Sequence, residues 1–424
     1  KKQTEQRQVS KMSTVLPFKG LRPKSDFASR IAAPPYDVLS SAEARTLVKE
    51  NRLSFLRVNK PEVDFPSEQL ACTNEVYNSG RKVLESMISA GQLVKDNKPG
   101  FYLYQLDWLA KSQTGLVCLC SINEYENGFI KKHELTHPQK VNDRADHMLA
   151  LNAQVGPVMM TLKPNQEINR LFDKLTEGGT EIDFEADDSV RHRIWVISDD
   201  ESIGQLKAAF EAVDFLYIAD GHHRSESAAE VRRRLKEQNP AHNGSEPYNY
   251  FLSVIFPSDQ MRILSYNRVV TDLGELSLEG LLKKALENFI IEKSDSPFEP
   301  LTNTKFGIYS HGEWYKLTAR DKVFDANSVT ASIGSAILEN CFLKTYLKIE
   351  DVREDPRIDF VGGIRGLAEL ERLVDSGKFE IAFSVSAVTV GQLLEVADAN
   401  QIMPPKSTWF EPKLRSGLLS HTFD

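Results

Sequence analysis

The chain has 424 residues, 41% of them hydrophobic and 26% charged, and a formal net charge of −8. Such a length implies two or three domains, and such a composition supports ordinary globular cores. The acidic balance disfavours a dominant nucleic-acid or anionic-membrane surface, while leaving room for a local basic pocket.

In chain order, residues 1–13 (KKQTEQRQVSKMS) are polar and read as a disordered tail without an apolar signal core. An N-terminal α/β segment is expected over 14–129. PFKGLRP and IAAPPYDVLS are rich in proline and glycine, hence loop-like. Ser40 and Glu43 form an S-x-x-E capping box that opens a helix. SFLRVNKPE reads as a strand ending in a turn. Residues 67–90 have helical period, with Gly91 as the stop. GFYLYQLDWL and GLVCLCSINEY read as paired strands turning at Ser112–Gly115.

The four cysteines are Cys72, Cys118, Cys120 and Cys341. Cys118 and Cys120, two apart on a strand, share a face and read as buried thiols rather than a metal pair. No disulfide framework is visible. No apolar run approaches the ~18 residues of a membrane-spanning helix. A reducing cytoplasm and no membrane partner are expected.

The segment 130–270 carries the most chemistry. His133-Glu134-x-x-His137 matches the zinc-protease pattern, but that chemistry needs both histidines on one face of a continuous helix. Pro138 follows at once and is expected to end any helix there. A polar loop, or Glu134 as a lone general base or metal carboxylate, remains. Further on, the strand FLYIAD ends at Asp220, Gly221 turns the chain, and a helix is expected to begin near Arg224. Backbone N–H groups at a helix start are unpaired, and the helix dipole favours negative charge there, so a phosphate fits. Gly221 allows close approach, and His222, His223 and Arg224 can donate. Asp220 could hold Mg²⁺ or accept a proton. The plainer alternative is a polar surface turn whose histidines cap neighbouring carbonyls.

The segment 271–424 alternates helices (LEGLLKKALENF, GLAELERLVDSG, VGQLLEVADAN) with strands, including a hairpin around YSHGEWYKL. The class is therefore mixed α and β. Near its end, Lys406, Ser407, Thr408 and Lys413 offer two ammonium groups and two hydroxyls that could complete an anion pocket. A tail docked by Trp409 and Phe410 explains the same residues without function.

PFKGLRP, APPYDVLS, RVNKPE, KKHELT, NDR, DGHHRSESA and MPPKSTWFEPKLRSGL occur in this order. Together they resemble the domain-of-unknown-function 1015 family of bacteria and archaea. The HE and DGHHR boxes are similar to those of free L-serine kinases of the ParB/sulfiredoxin-like superfamily. The resemblance implies a ParB/sulfiredoxin-like nucleotide-binding core over 130–270. It implies catalytic roles for Glu134 and Asp220, with Gly221, His222, His223 and Arg224 at the phosphates and Mg²⁺ held at Asp220 through ATP or ADP. Asp37, like the C-terminal residues, would then stand at a pocket wall, although a proline-fixed turn explains APPYD equally. The Glu134–Asp220 spacing is longer than in the kinases, which implies an insertion. The expected function is phosphoryl transfer from a nucleotide to a small hydroxyl compound such as free serine. A nucleotide-binding regulator without turnover and a nucleotide hydrolase are the alternatives.

Overall fold

The computed structural model describes residues 14–66 and 73–424; the expected tail at 1–13 and the segment 67–72, with Cys72, lie outside the described residues. The fold is mixed α and β, as expected. The chain forms two compact units. One comprises Lys1–Lys131, Thr136–Gln260 and Pro412–Asp424, the other Lys132–Leu135 and Met261–Glu411.

The first unit is built on a nine-stranded mixed sheet. Its order is Ile130–Lys131, Leu216–Asp220, Val158–Leu162, Tyr250–Pro257, Lys111–Ser121, Phe101–Trp108, Arg191–Ile197 and Ile182–Glu185, with Val15–Leu16 added beside Lys111–Ser121. Leu216–Asp220 pairs parallel with Ile130–Lys131 and antiparallel with Val158–Leu162. The central strands are buried over nearly their whole length, which is why they read as continuous apolar runs. Helices Gln166–Leu175 and Asp200–Glu211 place Phe172 and Phe210 in the core under this sheet, 6.5 Å apart. Burying a side chain of that size stabilises the fold by about 1.5–3 kcal/mol.

The second unit has a six-stranded antiparallel sheet, in the order Phe289–Ser294, Glu313–Ala319, Lys305–Ser310, Ile381–Val385, Tyr266–Val270 and Ile358–Gly362. A helix over Gly334–Leu338 continues as a π-helix to Leu347 and packs Phe342 against Phe289 and Phe383.

Several local expectations hold. Ser40 Oγ accepts the Glu43 N–H while Glu43 Oε2 accepts the Ser40 N–H, completing the capping box. The helix before Gly91 spans Asn74–Ser89, and Gly91 sits at φ +67°. Cys118 and Cys120 lie side by side on one strand, fully buried, with sulfurs 3.9 Å apart.

Two expectations are corrected. SFLRVNKPE is not a strand: Leu56–Asn59 is a helical turn followed by a 3-10 turn at Pro61–Asp64. Ser54 Oγ accepts the Leu56 N–H, and the Phe55 N–H donates to Ile31 O, which starts this turn. The hairpin turns at Leu109 and Ala110, both left-handed, rather than at Ser112–Gly115. Gly115 instead lies within the strand, where a Cβ would come within 2.7 Å of Phe256. As expected, no helix runs into Pro138 from the HE segment; Pro138 itself begins a helix, Pro138–Leu151. Its fixed φ and missing N–H suit the first helical position.

Candidate functional site

Asp220 is the last residue of its strand, where the pairing to Val158–Leu162 shifts register. Gly221 follows at φ +95° and serves as the N-cap of helix His222–Gln238, with no side chain capping the first turn. The left-handed conformation is open to glycine at little cost. The strand–glycine–helix turn expected here is therefore present, and the helix starts two residues earlier than its polar sequence indicates.

Around this turn the first unit gathers charge. Lys413 Nζ lies 2.8 Å from Asp220 Oδ2. Arg224, buried, donates from Nη2 to both Asp37 oxygens at 3.0 and 3.2 Å, and from Nη1 to Pro157 O at 2.8 Å. Burial works against ionising Asp220, but the Lys413 ammonium and the Arg224 guanidinium prevail and hold its carboxyl well below the usual range. Burial likewise opposes the Arg224 charge; Asp37 and Asp220 outweigh it and raise its pKa. Asp220 and Arg224 are thus ionised at neutral pH. His222 is buried, and His223 Nε2 accepts the His137 N–H at 3.1 Å.

The turn is continuous with a second layer that the sequence reading gave no role. The Tyr36 ring has the Arg224 guanidinium 5.7 Å and the Arg144 guanidinium 4.5 Å from its centroid. Arg144 pairs with Asp143 at 2.6 Å, and Asp143 accepts the Tyr77 hydroxyl. Arg144 also donates to Asn59 O at 3.3 Å, and Lys60 Nζ donates to Tyr36 O at 3.3 Å. Asn59 is 3% exposed, and neither atom of its side-chain amide has a hydrogen-bond partner among the described residues. Boxes APPYD, RVNKPE, NDR and DGHHR thus converge in one unit, as does Lys413 from the end of the chain. Their signal lay in the order of the boxes; residue type alone did not single out Tyr36, Asn59, Lys60 or Arg144.

The remaining candidates belong to the second unit. Residues 132–137 are not helical, so His133 and His137 do not share a helix face. The Met403 N–H donates to His133 O at 2.8 Å, which ties the HE segment to the MPPKST loop. Ser407 Oγ is 2.7 Å from Ser335 Oγ and donates to Pro404 O, while Lys406 is exposed at φ +57° and Thr408 is half-buried. Of the C-terminal quartet, Lys413 therefore stands at Asp220, and Lys406, Ser407 and Thr408 belong to the other unit. A cavity of about 450 Å³ in the first unit, lined by residues including Thr14, Glu124, Lys207 and Glu211, contains none of the candidate residues.

Among the described residues no group of three or more His, Cys, Asp or Glu side chains could hold a metal ion. Mg²⁺, however, often takes one or two carboxylates and completes its shell with phosphate oxygens and water. Asp220 fits that limited role through Oδ1, since Lys413 holds Oδ2.

The fold and site define a two-unit mixed α/β protein with a strand–glycine–helix turn flanked by ion pairs. The chain belongs to the family described as "Protein of unknown function (DUF1015)", which matches residues 15–339. No curated protein sequence matches it. Among solved structures, a free serine kinase variant in complex with AMP is 11% identical, with a TM-score of 0.35, covering 69% of this chain and 87% of that one. A conserved hypothetical protein from Pyrococcus furiosus is 11% identical, with a TM-score of 0.36, covering 71% and 93%. SbnI with a C-terminal truncation, from Staphylococcus aureus, is 8% identical, with a TM-score of 0.37, covering 72% and 86%. No helix among the described residues is long and apolar enough to cross a membrane.

Proposed function

We propose that the chain binds a nucleotide with its phosphates at the start of helix His222–Gln238 and transfers a phosphoryl group to a small hydroxyl compound, free serine being the first candidate. The observation that carries this reading is the uncapped helix start behind Gly221, flanked by Lys413 and Arg224. The helix dipole favours an anion there, and two neighbouring cations add to the attraction.

Phosphoryl transfer asks mainly for positioning and charge neutralisation. The helix start after Gly221 would face the phosphate oxygens, with His222 and His223 alongside. Lys413 would shift from Asp220 to phosphate as the anion arrives, leaving Asp220 to orient the acceptor or hold Mg²⁺ at the nucleotide. When bound, Mg²⁺ would supply further charge neutralisation. Glu134 takes the role of general base from the family's HE box alone. ATP and ADP are both candidate donors, and the cytoplasm is the compartment in which the reading places the chain.

The test is calorimetric titration of ADP and ATP with and without Mg²⁺, alongside an assay for phosphoserine. Glu134→Gln is expected to leave nucleotide affinity nearly intact and to cut turnover ~10²–10⁴-fold, the usual contribution of a positioned base. Full turnover in that variant would remove Glu134 from the mechanism. The alternative of a nucleotide-responsive regulator draws support from Asp220 and Arg224 being already ion-paired. Nucleotide binding without transfer or hydrolysis would favour it, and release of inorganic phosphate alone would favour a hydrolase.

A further inference from the structure

Arg268 lies on the strand Tyr266–Val270, which is held between Ile358–Gly362 and Ile381–Val385 in the second unit. The residue is 3% exposed. Its guanidinium donates to two backbone carbonyls, Tyr266 O and, at 3.2 Å, Lys406 O, and lies 5.4 Å from the Phe360 ring centroid. Among the described residues it forms no ion pair. Burial pulls its pKa down to about 10 against the opposing influence of Glu339, so it remains charged at neutral pH. Glu339 has its own cation, Lys344, at 3.2 Å.

A buried charge without a partner is costly, and folded proteins pair such groups or place them where a ligand will. Arg224 in the first unit meets that demand with Asp37; Arg268 meets it with two carbonyl dipoles and the Phe360 ring, without an anion bonded to it. Lys406, whose carbonyl accepts from Arg268, carries its ammonium 5.6 Å from the centroid of the Tyr266 ring. The adjacent Ser407–Ser335 hydroxyl pair and the HE segment, bonded to the same loop through His133 O and the Met403 N–H, complete the surroundings.

We propose that Arg268 and Lys406 form an oxyanion subsite in the second unit, taking the carboxylate or phosphate of a small ligand. The guanidinium fork matches either group in a bidentate manner. The subsite stands independently of the kinase reading.

The experiment uses the full chain in an Arg224→Ala background, which weakens the first unit's phosphate site. Calorimetry follows inorganic phosphate and, separately, L-serine in chloride-free buffer. Arg268→Met is expected to weaken binding of at least one of these probes about ten- to hundredfold, the usual cost of losing a charged hydrogen-bond partner. Arg268→Lys should recover part of it. Loss confined to phosphate identifies a phosphate subsite, and loss confined to serine a carboxylate subsite. A folded Arg268→Met variant that binds both probes like its parent, or a parent that binds neither, would overturn the proposal. If Arg268→Met does not fold, Lys406→Ala at the exposed position decides: a severalfold loss upholds the subsite, and unchanged affinity ends it. A chain that makes no phosphoserine yet loses anion binding on Arg268→Met keeps the subsite and ends only the kinase reading.

Discussion

Arg224 is the residue on which most of the site converges. Its fork reaches Asp37 and Pro157 O, its charge lowers the pKa of Asp220, and its guanidinium faces Tyr36. Arg224→Ala is therefore expected to weaken ADP binding about ten- to hundredfold and to cost about 2 kcal/mol of stability, because Pro157 O and Asp37 lose a charged donor. Asp37 is partly exposed and water will recover some of that loss, which keeps the estimate low. Titration calorimetry and urea unfolding read the two effects separately; unchanged ADP affinity would separate Arg224 from the nucleotide. Asp220 and Arg224 were legible in the sequence because a strand, a glycine and a helix adjoin there. The role of Lys413 was only half legible. Its charge was plain, but nothing in a linear reading pairs it with Asp220, 2.8 Å away. Asn59 and Arg144 stayed hidden for the same reason: buried polar residues acquire meaning only from the neighbours that do, or do not, satisfy them.

Among the elements, the turn at Gly221 sets the geometry of the whole site. At φ +95° an L-residue costs about 1–2 kcal/mol. A Cβ at this position would meet Val158 Cα and Arg224 Cδ at 3.5 Å, ordinary contact, so backbone strain would decide the outcome. Gly221→Ala is expected to lower unfolding free energy by that amount and to weaken phosphate binding as the helix start relaxes. A urea midpoint equal to the parent's would show that the turn adapts freely. Elements with a clear period or cap, such as the helices Ser41–Glu50 and Val390–Asp398, were readable because local chemistry alone specifies them. The short turn Leu56–Asn59 was not: its four residues are too few to display a period, and a contact to the distant Ile31 carbonyl starts it. Pro138 carried two meanings, a stop for the HE segment before it and a start for the helix Pro138–Leu151. The extended His137, at φ −92° and ψ 121°, is where both apply.

At the scale of the molecule, the mixed α and β class was legible from alternating patterns, whereas the strand order was not. Leu216–Asp220 sits between Ile130–Lys131 and Val158–Leu162, partners far away in sequence, and only the closed sheet specifies them. The first unit buries four histidines, and three of them have lowered pKa values. Burial, aided by Arg144, pulls the pKa of His147 down to about 3; burial and Arg415 do the same to His192, and burial brings His421 to about 4. His147 Nε2 donates to Val58 O and His421 Nε2 to Pro247 O, while His192 Nδ1 shares a hydrogen bond with the Tyr104 hydroxyl. These rings stay neutral in the fold but ionise near pH 6.5 once unfolded. The unfolded chain therefore binds more protons below that pH, so stability falls as pH drops through about 6.5 and levels off only near the folded values. Between about pH 7.5 and 5.5 each ring should cost about 1.4 kcal/mol, or about 4 kcal/mol together. Carboxylates with depressed pKa values, such as Asp220 and Glu230, titrate at lower pH and leave this window to the histidines. Urea unfolding at the two pH values measures the difference, and His147→Gln, which keeps a donor toward Val58, should remove about a third of it. Equal unfolding free energies at both pH values would mean that these rings gain protons in the folded state as readily as in the unfolded one.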